Sequence, residues 1–175
     1  ASILLLVQDG KLKLDDDIRK YLPEIPDYGH TITIEHLLHH TSGLRDYTEL
    51  RWFSGYDRWG YADDRDALKA ILNQQALDFT PGSMHAYSNT GYLLMSLIVQ
   101  RVGGKTLALF AQERIFSPLG MKNTYYDDTL DRVMSQMANS PGPAASYVTT
   151  DTYTARSDKF EMQLKQQQVV MKCLE

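Results

Sequence analysis

The chain's most hydrophobic stretch reads NTGYLLMSLIVQRV and spans residues 89–102. Its polar positions are too few to form a polar face, so we predict a helix that is buried almost all round. Gly103 and Gly104 follow directly, and glycine ends helices because it accepts the left-handed backbone. The centre of the hydrophobic core is therefore predicted here.

Short amphipathic helices are predicted on both sides of this core helix. Thr33 and Thr106 are expected to cap two of them, because threonine accepts hydrogen bonds from the free N–H groups of a first turn. Up to about Tyr126 the pattern is mainly α, with almost no strands. The predicted helices, besides 89–102, are residues 3–7, 18–22, 34 to the stop at Thr41-Ser42-Gly43, 63 or 64 to 77, and 107–115.

Length and composition are typical of one globular domain. The chain has 175 residues, of which 43% are hydrophobic, and a formal net charge of −4. This balance provides no Lys/Arg stripe to neutralise phosphates, so no nucleic-acid partner is expected. The single cysteine, Cys173, excludes an internal disulfide. The longest apolar run, residues 3–7, is far shorter than the roughly 20 residues of a membrane span.

Two segments show no clear pattern of regular secondary structure. The segment from Tyr47 to Tyr61, with Trp52 and Trp59, is either a short helix with a loop or a packed surface loop, and we predict it to be irregular. Its aromatic side chains are expected to pack against the body rather than form an exposed contact surface. Residues 127–175 form an unassigned tail, in which a loop rich in Ser, Thr and Pro precedes a possible isolated helix.

Three histidines lie close together on a predicted helix, where His36 is one turn from both His39 and His40. Imidazoles at such spacing can share a metal ion, but no third ligand and no H-E-x-x-H arrangement accompanies them. The alternative is that histidines at a helix end bond backbone groups. We predict the second, and therefore no metal and no cofactor.

Ser42 lies in the sequence Thr41-Ser42-Gly43-Leu44. No G-x-S-x-G surrounds it, so a nucleophile elbow has no support. We predict instead that this segment ends a helix, with Gly43 in the left-handed conformation.

Tyr87-Ser88-Asn89 precedes the core helix directly. A tyrosine can shuttle a proton, and an amide can hold both a substrate carbonyl and a catalytic ammonium group. In the structural alternative, Ser88 or Asn89 caps the helix and Tyr87 packs. The residues alone leave both possibilities open, although a loop before a rigid helix is a place where a site is easily preorganised.

Several segments, taken in order, strongly resemble one family. They read LLHHTSGL at 37–44, PG at 81–82 followed by YSNTGY at 87–92, and FSPLGMKNT at 116–124. The opening residues 1–12, ASILLLVQDGKL, are similar to the segment just after the family's nucleophile. The chain thus resembles the serine β-lactamase-related hydrolases, which join class C β-lactamases, DD-peptidases and related esterases.

The resemblance implies a site and a fold. The family's site combines S-x-x-K, Y-x-N and a K-T-G or H-x-G strand, and Tyr87 and Asn89 match Y-x-N. Tyr87 would relay the proton between nucleophile and leaving group, and Asn89 would orient the lysine and the substrate amide. The fold would be the α/β β-lactamase/transpeptidase-like fold, of which this chain holds the helical part, with most of the antiparallel sheet missing.

The other family motifs are absent. No serine has a lysine three residues later, and Ser42, for example, is followed there by Arg45. Lys105-Thr106 lacks the following glycine, and no His-x-Gly occurs. We therefore expect residues 1–126 to be a partial domain truncated at both ends, with S-x-x-K within about ten residues before Ala1.

The expected function is that of a serine hydrolase fragment. The complete form would cleave amide or ester bonds of a β-lactam, a D-Ala peptide or an ester through an acyl-serine intermediate, whereas this chain alone would be inactive. The alternative is a non-enzymatic helical binding module that uses the aromatic residues from Trp52 to Tyr61 as its contact surface. The resemblance implies a periplasmic or secreted bacterial protein, although residues 1–12 do not read as a signal peptide.

The missing sheet has a consequence for the core. We expect apolar side chains of residues 3–7 and 89–102 to stay in contact with water, because the sheet that would cover them is absent. Such a chain would be prone to aggregation or molten.

Overall fold

Helices form nearly all the regular structure of the computed structural model, which describes residues 1–55 and 64–126. An isolated antiparallel bridge joins Asp17 and Thr33, and these described ranges contain no β-strand. The mainly α prediction is confirmed for this part of the chain. The elements are α1 (Ser2–Gln8), α2 (Ile34–Leu38), α3 (Tyr47–Phe53), α4 (Asp64–Leu72), α5 (Asn89–Gly103) and α6 (Leu107–Ala111), with a 3-10 turn (Ile18–Lys20) and a π-helical turn (Gln112–Phe116).

The core is built around α5, which packs against α1, α2, α3 and α6. The prediction that α5 is buried almost all round is confirmed for its central residues but wrong for Tyr92, which is 47% exposed. Gly104 ends the helix with φ +68, as the glycine pair indicated. The buried residues of α5 are Thr90, Gly91, Leu93, Leu94, Met95, Ile98 and Val99.

The apolar residues of α1 are covered by other helices. Ile3, Leu5 and Leu6 are buried, and α1 contacts α5 and α6. The expectation that residues 3–7 and 89–102 stay wet is therefore wrong for most of their side chains. The reason is that short helices pack around α5 without needing a sheet to close this part of the core.

Both predicted threonine caps are present. The Thr33 hydroxyl accepts a hydrogen bond from the His36 backbone N–H at 3.1 Å, and Thr106 accepts one from the Leu109 N–H at 3.3 Å. His36 completes a capping box, because its Nδ1 accepts from the Thr33 N–H at 3.3 Å.

The end of α2 differs from the prediction. The helix ends at Leu38, and His40 takes the left-handed conformation with φ 56. The Thr41 N–H bonds the His36 carbonyl at 2.9 Å and the His40 N–H bonds the Leu37 carbonyl at 3.4 Å, which is the Schellman pattern. The turn therefore closes on a histidine three residues before Gly43.

The first part of the aromatic segment is helical over Tyr47–Phe53, which is the short-helix alternative, so the prediction of an irregular segment is wrong there. Asp46 caps this helix by accepting a hydrogen bond from the Thr48 N–H at 2.7 Å. Trp52 and Phe53 are 53% and 79% exposed, which also contradicts the expected packing of these two side chains. Trp59 and Tyr61 lie outside the described residues, as does the whole tail predicted over 127–175.

Helix α4 ends at Leu72 rather than at Leu77. Tertiary contacts outweigh helix propensity here, because the next residues bind the loop that follows α2. Buried Gln74 accepts a hydrogen bond from the Arg45 N–H at 3.0 Å, and the Asp78 N–H bonds the Gly43 carbonyl at 2.9 Å.

One combination of helices reaches membrane-spanning length and apolarity. It joins α5 to residues Leu107–Phe116 across a 72° bend, and within residues 1–55 and 64–126 no single helix does so alone.

Candidate functional site

Tyr87 and Asn89 lie where the loop over residues 82–88 enters α5. Backbone hydrogen bonds hold this loop against the segment that follows α2. The Gly82 N–H bonds the Thr41 carbonyl at 2.8 Å, and the Ala86 N–H bonds the His40 carbonyl at 2.9 Å. The loop is therefore positioned by a second loop and by the rigid helix that it precedes.

The side chains of the two predicted site residues contact each other directly. The Tyr87 hydroxyl donates a hydrogen bond to Asn89 Oδ1 at 3.0 Å. Tyr87 is 68% exposed, so the alternative in which it merely packs does not hold. Ser88 occupies the N-cap position without a side-chain capping bond, and Asn89 is the first residue of the helix. The pair is thus accessible from solvent and held at one end by the core.

The carboxylate of Asp46 is a further part of this site, and sequence reasoning missed it. Asp46 Oδ2 accepts hydrogen bonds from both Asn89 N and Asn89 Nδ2, each at 2.7 Å. The sequence carries one local indication, since Asp46 and Glu49 are spaced as an N-cap and an N3 residue. That spacing could have predicted α3, but not the contact with Asn89.

Three neighbouring rings surround the imidazole of His40. Its centroid lies 4.7 Å from the Tyr87 ring, 5.2 Å from the Tyr92 ring and 5.9 Å from the His85 ring. The His40 Nδ1 accepts a hydrogen bond from the Ser88 N–H at 3.3 Å. The ring therefore supports the aromatic face of Tyr87 and the backbone next to it.

The three histidines do not form a metal centre in the structure. Only His36 is part of α2, because the helix ends before His39 and His40. His36 and His40 each use Nδ1 to accept a backbone hydrogen bond, as the second interpretation predicted. In residues 1–55 and 64–126 no group of three or more His, Cys, Asp or Glu side chains is arranged to hold a metal ion.

Ser42 is a structural residue. Its side chain is buried, with 3% of the residue exposed, and its Oγ accepts a hydrogen bond from the Leu44 N–H at 3.2 Å. Gly43 has φ +74, as predicted, and a Cβ there would lie 2.1 Å from the Phe79 carbonyl oxygen. The loop after α2 therefore has no room for a side chain at Gly43 where it approaches the segment after α4.

Arg45, which directly precedes Asp46 in the chain, is already paired, since its Nε lies 2.7 Å from Asp78 Oδ1. In the part of the chain that the structure describes, no Lys or Arg is hydrogen-bonded to the Tyr87 hydroxyl. The site therefore contains a phenol, an amide and a carboxylate, which can orient a substrate and pass a proton.

Comparison of the chain with known families shows which family it belongs to. The family model described as Beta-lactamase matches residues 1–156. The chain belongs to the Beta-lactamase family. Tyr87, Asn89 and the helices that position them all lie within the matched range.

Similar proteins include a penicillin-binding protein and a D-aminopeptidase. Penicillin-binding protein 4* of Bacillus subtilis is 38% identical over 125 residues, which cover 70% of this chain and 27% of that protein. A D-aminopeptidase of Gluconobacter oxydans is 35% identical over 122 residues, covering 70% of this chain and 23% of that protein.

A solved structure with a similar fold supports this family assignment. The D-stereospecific amidohydrolase from Streptomyces sp. has a TM-score of 0.63 and 28% identity, and the match covers 71% of this chain and 40% of that one. The helical arrangement is thus that of Beta-lactamase family proteins. The chain spans about a quarter of the length of the two curated relatives, at 27% and 23%.

Proposed function

We propose that this chain is part of a serine hydrolase that cleaves amide or ester bonds through an acyl-serine intermediate, and that it contributes Tyr87 and Asn89 to the catalytic centre. The observation that carries the proposal is the 3.0 Å hydrogen bond between the Tyr87 hydroxyl and Asn89 Oδ1, at the N-terminus of a buried helix. Membership of the Beta-lactamase family supports it.

The proposed reaction has two steps. A serine hydroxyl attacks the substrate carbonyl carbon, the C–N or C–O bond breaks, and the departing amine or alcohol takes up a proton. Water then hydrolyses the acyl-serine ester and regenerates the serine. Tyr87 can relay the proton, because a phenol oxygen both donates and accepts hydrogen bonds. Asn89 can offer its Oδ1 to an ammonium group and an N–H to a substrate carbonyl.

The names of the relatives narrow the proposed substrate class. One relative is a D-aminopeptidase, and a structural neighbour is a D-stereospecific amidohydrolase. We therefore favour an amide bond next to a D-amino acid, as in a D-Ala peptide, over a β-lactam or a simple ester.

The nucleophile and its lysine are proposed to come from sequence beyond these 175 residues. No serine of the chain has a lysine three positions later. The part of the site seen here can orient a substrate, but without a nucleophile it cannot form the acyl intermediate. By itself the chain should therefore be inactive.

Covalent labelling tests the proposal. The 175-residue chain, and the same chain extended by the codons that flank it in its gene, are incubated with a fluorophosphonate or a labelled β-lactam and weighed intact. One adduct per extended chain and none on the 175-residue chain are expected. Stoichiometric labelling of the shorter chain would overturn the proposed split of the site, and an extended chain without any adduct would overturn the hydrolase.

A matched pair of variants tests the role of Tyr87. In the extended chain, Tyr87→Phe removes the proton relay and should slow labelling about 100-fold or more. Tyr92→Phe is the control, because its ring also stacks on His40 and it lies outside the Y-x-N pattern. Equal labelling rates for the two variants would remove the proton relay from the proposal.

One observation favours a binding module as a second candidate. Trp52 and Phe53 are 53% and 79% exposed, and their rings lie 5.2 Å apart at the end of α3. Exposed aromatic residues are favoured anchors of protein interfaces. The test is a pull-down with Trp52→Ala and Phe53→Ala combined, against Leu109→Ala as an exposed apolar control. Unchanged recovery of the partner would remove this candidate.

A further inference from the structure

We infer that Asp46 is a positioning residue of the catalytic centre, whose carboxylate fixes the orientation of the Asn89 side-chain amide. The inference rests on the proposed function, because it concerns how Asn89 is presented to reacting groups. Asp46 Oδ2 accepts from Asn89 N at 2.7 Å and from Asn89 Nδ2 at 2.7 Å. The two residues are 43 positions apart in the sequence, so the contact exists only in the folded chain.

The chemistry of the contact determines which way the amide points. A carboxylate oxygen only accepts hydrogen bonds, whereas an amide has one accepting and one donating end. A flipped Asn89 would place its Oδ1 against Asp46 Oδ2, and two acceptors would then face each other at 2.7 Å. The Nδ2 end is therefore held toward Asp46, and Oδ1 is turned toward the Tyr87 hydroxyl that donates to it.

Asp46 is itself held in place from two sides. Its Oδ1 accepts from Thr48 N at 2.7 Å and from Thr48 Oγ1 at 2.5 Å. Its backbone neighbours bind buried Thr90, whose Oγ1 donates to the Arg45 carbonyl at 2.6 Å and accepts from the Tyr47 N–H at 3.0 Å. The carboxylate is thereby fixed relative to the first turn of α5.

The position also suits the charge. Asn89 is the first residue of a 15-residue helix, where the backbone N–H has no acceptor within the helix and the helix dipole favours an anion. Asp46 thus accepts hydrogen bonds from both the backbone N–H and the side-chain amide of Asn89. The Asn89 side chain is left with Oδ1 and its second Nδ2 proton for the proposed ammonium and substrate carbonyl.

Two substitutions separate this role from the capping of α3. Asp46→Ser keeps a good N-cap residue, but its short side chain does not reach Asn89. Asp46→Asn keeps the size of the side chain but gives up one accepting end. Asp78→Asn is the matched control, because Asp78 is a nearby carboxylate that binds Arg45 and not Asn89.

The readout is the Asn89 side-chain amide in nitrogen-15 NMR spectra of the 175-residue chain. In Asp46→Ser and Asp46→Asn the proton bonded to Asp46 should shift upfield and exchange with water about tenfold faster or more, because a hydrogen bond to a charged group is lost. The amides of residues 50–53, which do not bond the Asp46 side chain, should keep their shifts in Asp46→Ser, and Asp78→Asn should leave Asn89 unchanged.

Two results would overturn the inference. One is an Asn89 side-chain signal that is the same in wild type and both Asp46 variants, and the other is loss of the α3 signals in Asp46→Ser together with those of Asn89. These spectra do not depend on turnover. Failure of the hydrolase proposal would appear as absent labelling of the extended chain, whereas failure of this inference would appear in the Asn89 signals.

Discussion

His40 lies with its imidazole ring against the phenol ring of Tyr87, with the two ring centroids 4.7 Å apart. It holds this position from a left-handed backbone conformation, φ 56, that costs a residue with a Cβ about 1 to 2 kcal/mol. The Schellman turn after α2 would close more easily on glycine. The strained residue is thus the one whose ring contacts the exposed Tyr87. Strained backbone conformations are often found at functional sites.

The first prediction compares two small residues at position 40. His40→Ala removes the ring but keeps the backbone strain, whereas His40→Gly removes both the ring and the strain. We expect His40→Gly to be more stable than His40→Ala by about 1 kcal/mol in urea unfolding, the reverse of their order inside a helix. An alanine variant as stable as the glycine variant would contradict the left-handed conformation of this residue.

The second prediction concerns the loop contact at Gly43. A Cβ there would lie 2.1 Å from the Phe79 carbonyl oxygen, and φ is +74. Gly43→Ala must therefore displace backbone, so we expect it to lower the free energy of unfolding by about 3 kcal/mol or more.

Gly10→Ala provides the control for backbone conformation alone. Gly10 has φ +68, similar to that of Gly43, but a Cβ there would meet nothing within 4 Å. Its cost should be about 1 kcal/mol. Equal costs for the two substitutions in urea unfolding would show that the contact with Phe79 does not constrain the loop.

Some of these features could be predicted from the sequence because they are local. The Thr33 and Thr106 caps depend on residues three positions apart, and the burial of α5 follows from a stretch with few polar positions. Family resemblance also predicted that Tyr87 and Asn89 belong to one catalytic site, which stays a prediction, and it did not predict their hydrogen bond.

Other features depend on contacts between distant segments and could not be predicted. Nothing in the sequence near Asp46 indicates that its carboxylate bonds Asn89, 43 residues away. The early end of α4 also depends on a contact between distant segments, because Gln74, beyond the end of the helix, accepts a hydrogen bond from the Arg45 backbone N–H. Helix propensity predicted a continuation there because it contains no information about such partners.

The third prediction concerns acid stability. The Asp16 carboxylate accepts hydrogen bonds from the Tyr21 hydroxyl at 2.5 Å, Lys20 Nζ at 2.9 Å and the Lys13 N–H at 2.7 Å. These bonds, the Tyr21 one above all, lower the pKa of Asp16 from 3.8 to about 2. The folded-state pKa lies below the unfolded one, so the stabilisation is complete above about pH 4 and is lost as the pH falls toward 2.

Asp16→Asn should therefore destabilise the chain by about 1 to 2 kcal/mol at pH 7, since solvent screens part of the interaction. The difference from wild type should shrink steadily below pH 4, as measured by urea unfolding at a series of pH values. Asp15→Asn, which removes an exposed neighbouring carboxylate, is the control for the change in net charge. A difference between Asp16→Asn and wild type that is independent of pH would exclude the carboxylate as its cause.

The fourth prediction concerns the core itself. Leu94 in α5 is fully buried, whereas Leu109 in α6 is 48% exposed. If the helices close the core as the structure shows, Leu94→Ala leaves a cavity and costs about 2 to 5 kcal/mol, and Leu109→Ala stays within about 0.5 kcal/mol of wild type. Both differences in unfolding free energy can be measured by urea unfolding, followed by far- and near-UV circular dichroism.

The contrast between these two leucines distinguishes a packed core from a molten one. In a molten state side chains have no fixed neighbours, so both substitutions would cost similar small amounts and the near-UV signal would be weak. A packed core makes the cost depend on position, because only a fixed cavity loses its contacts. A loss of several kcal/mol at Leu94 is also a large part of a typical net stability of about 5 to 15 kcal/mol. The Leu94→Ala variant should therefore unfold at a clearly lower urea concentration, while Leu109→Ala should retain the wild-type midpoint.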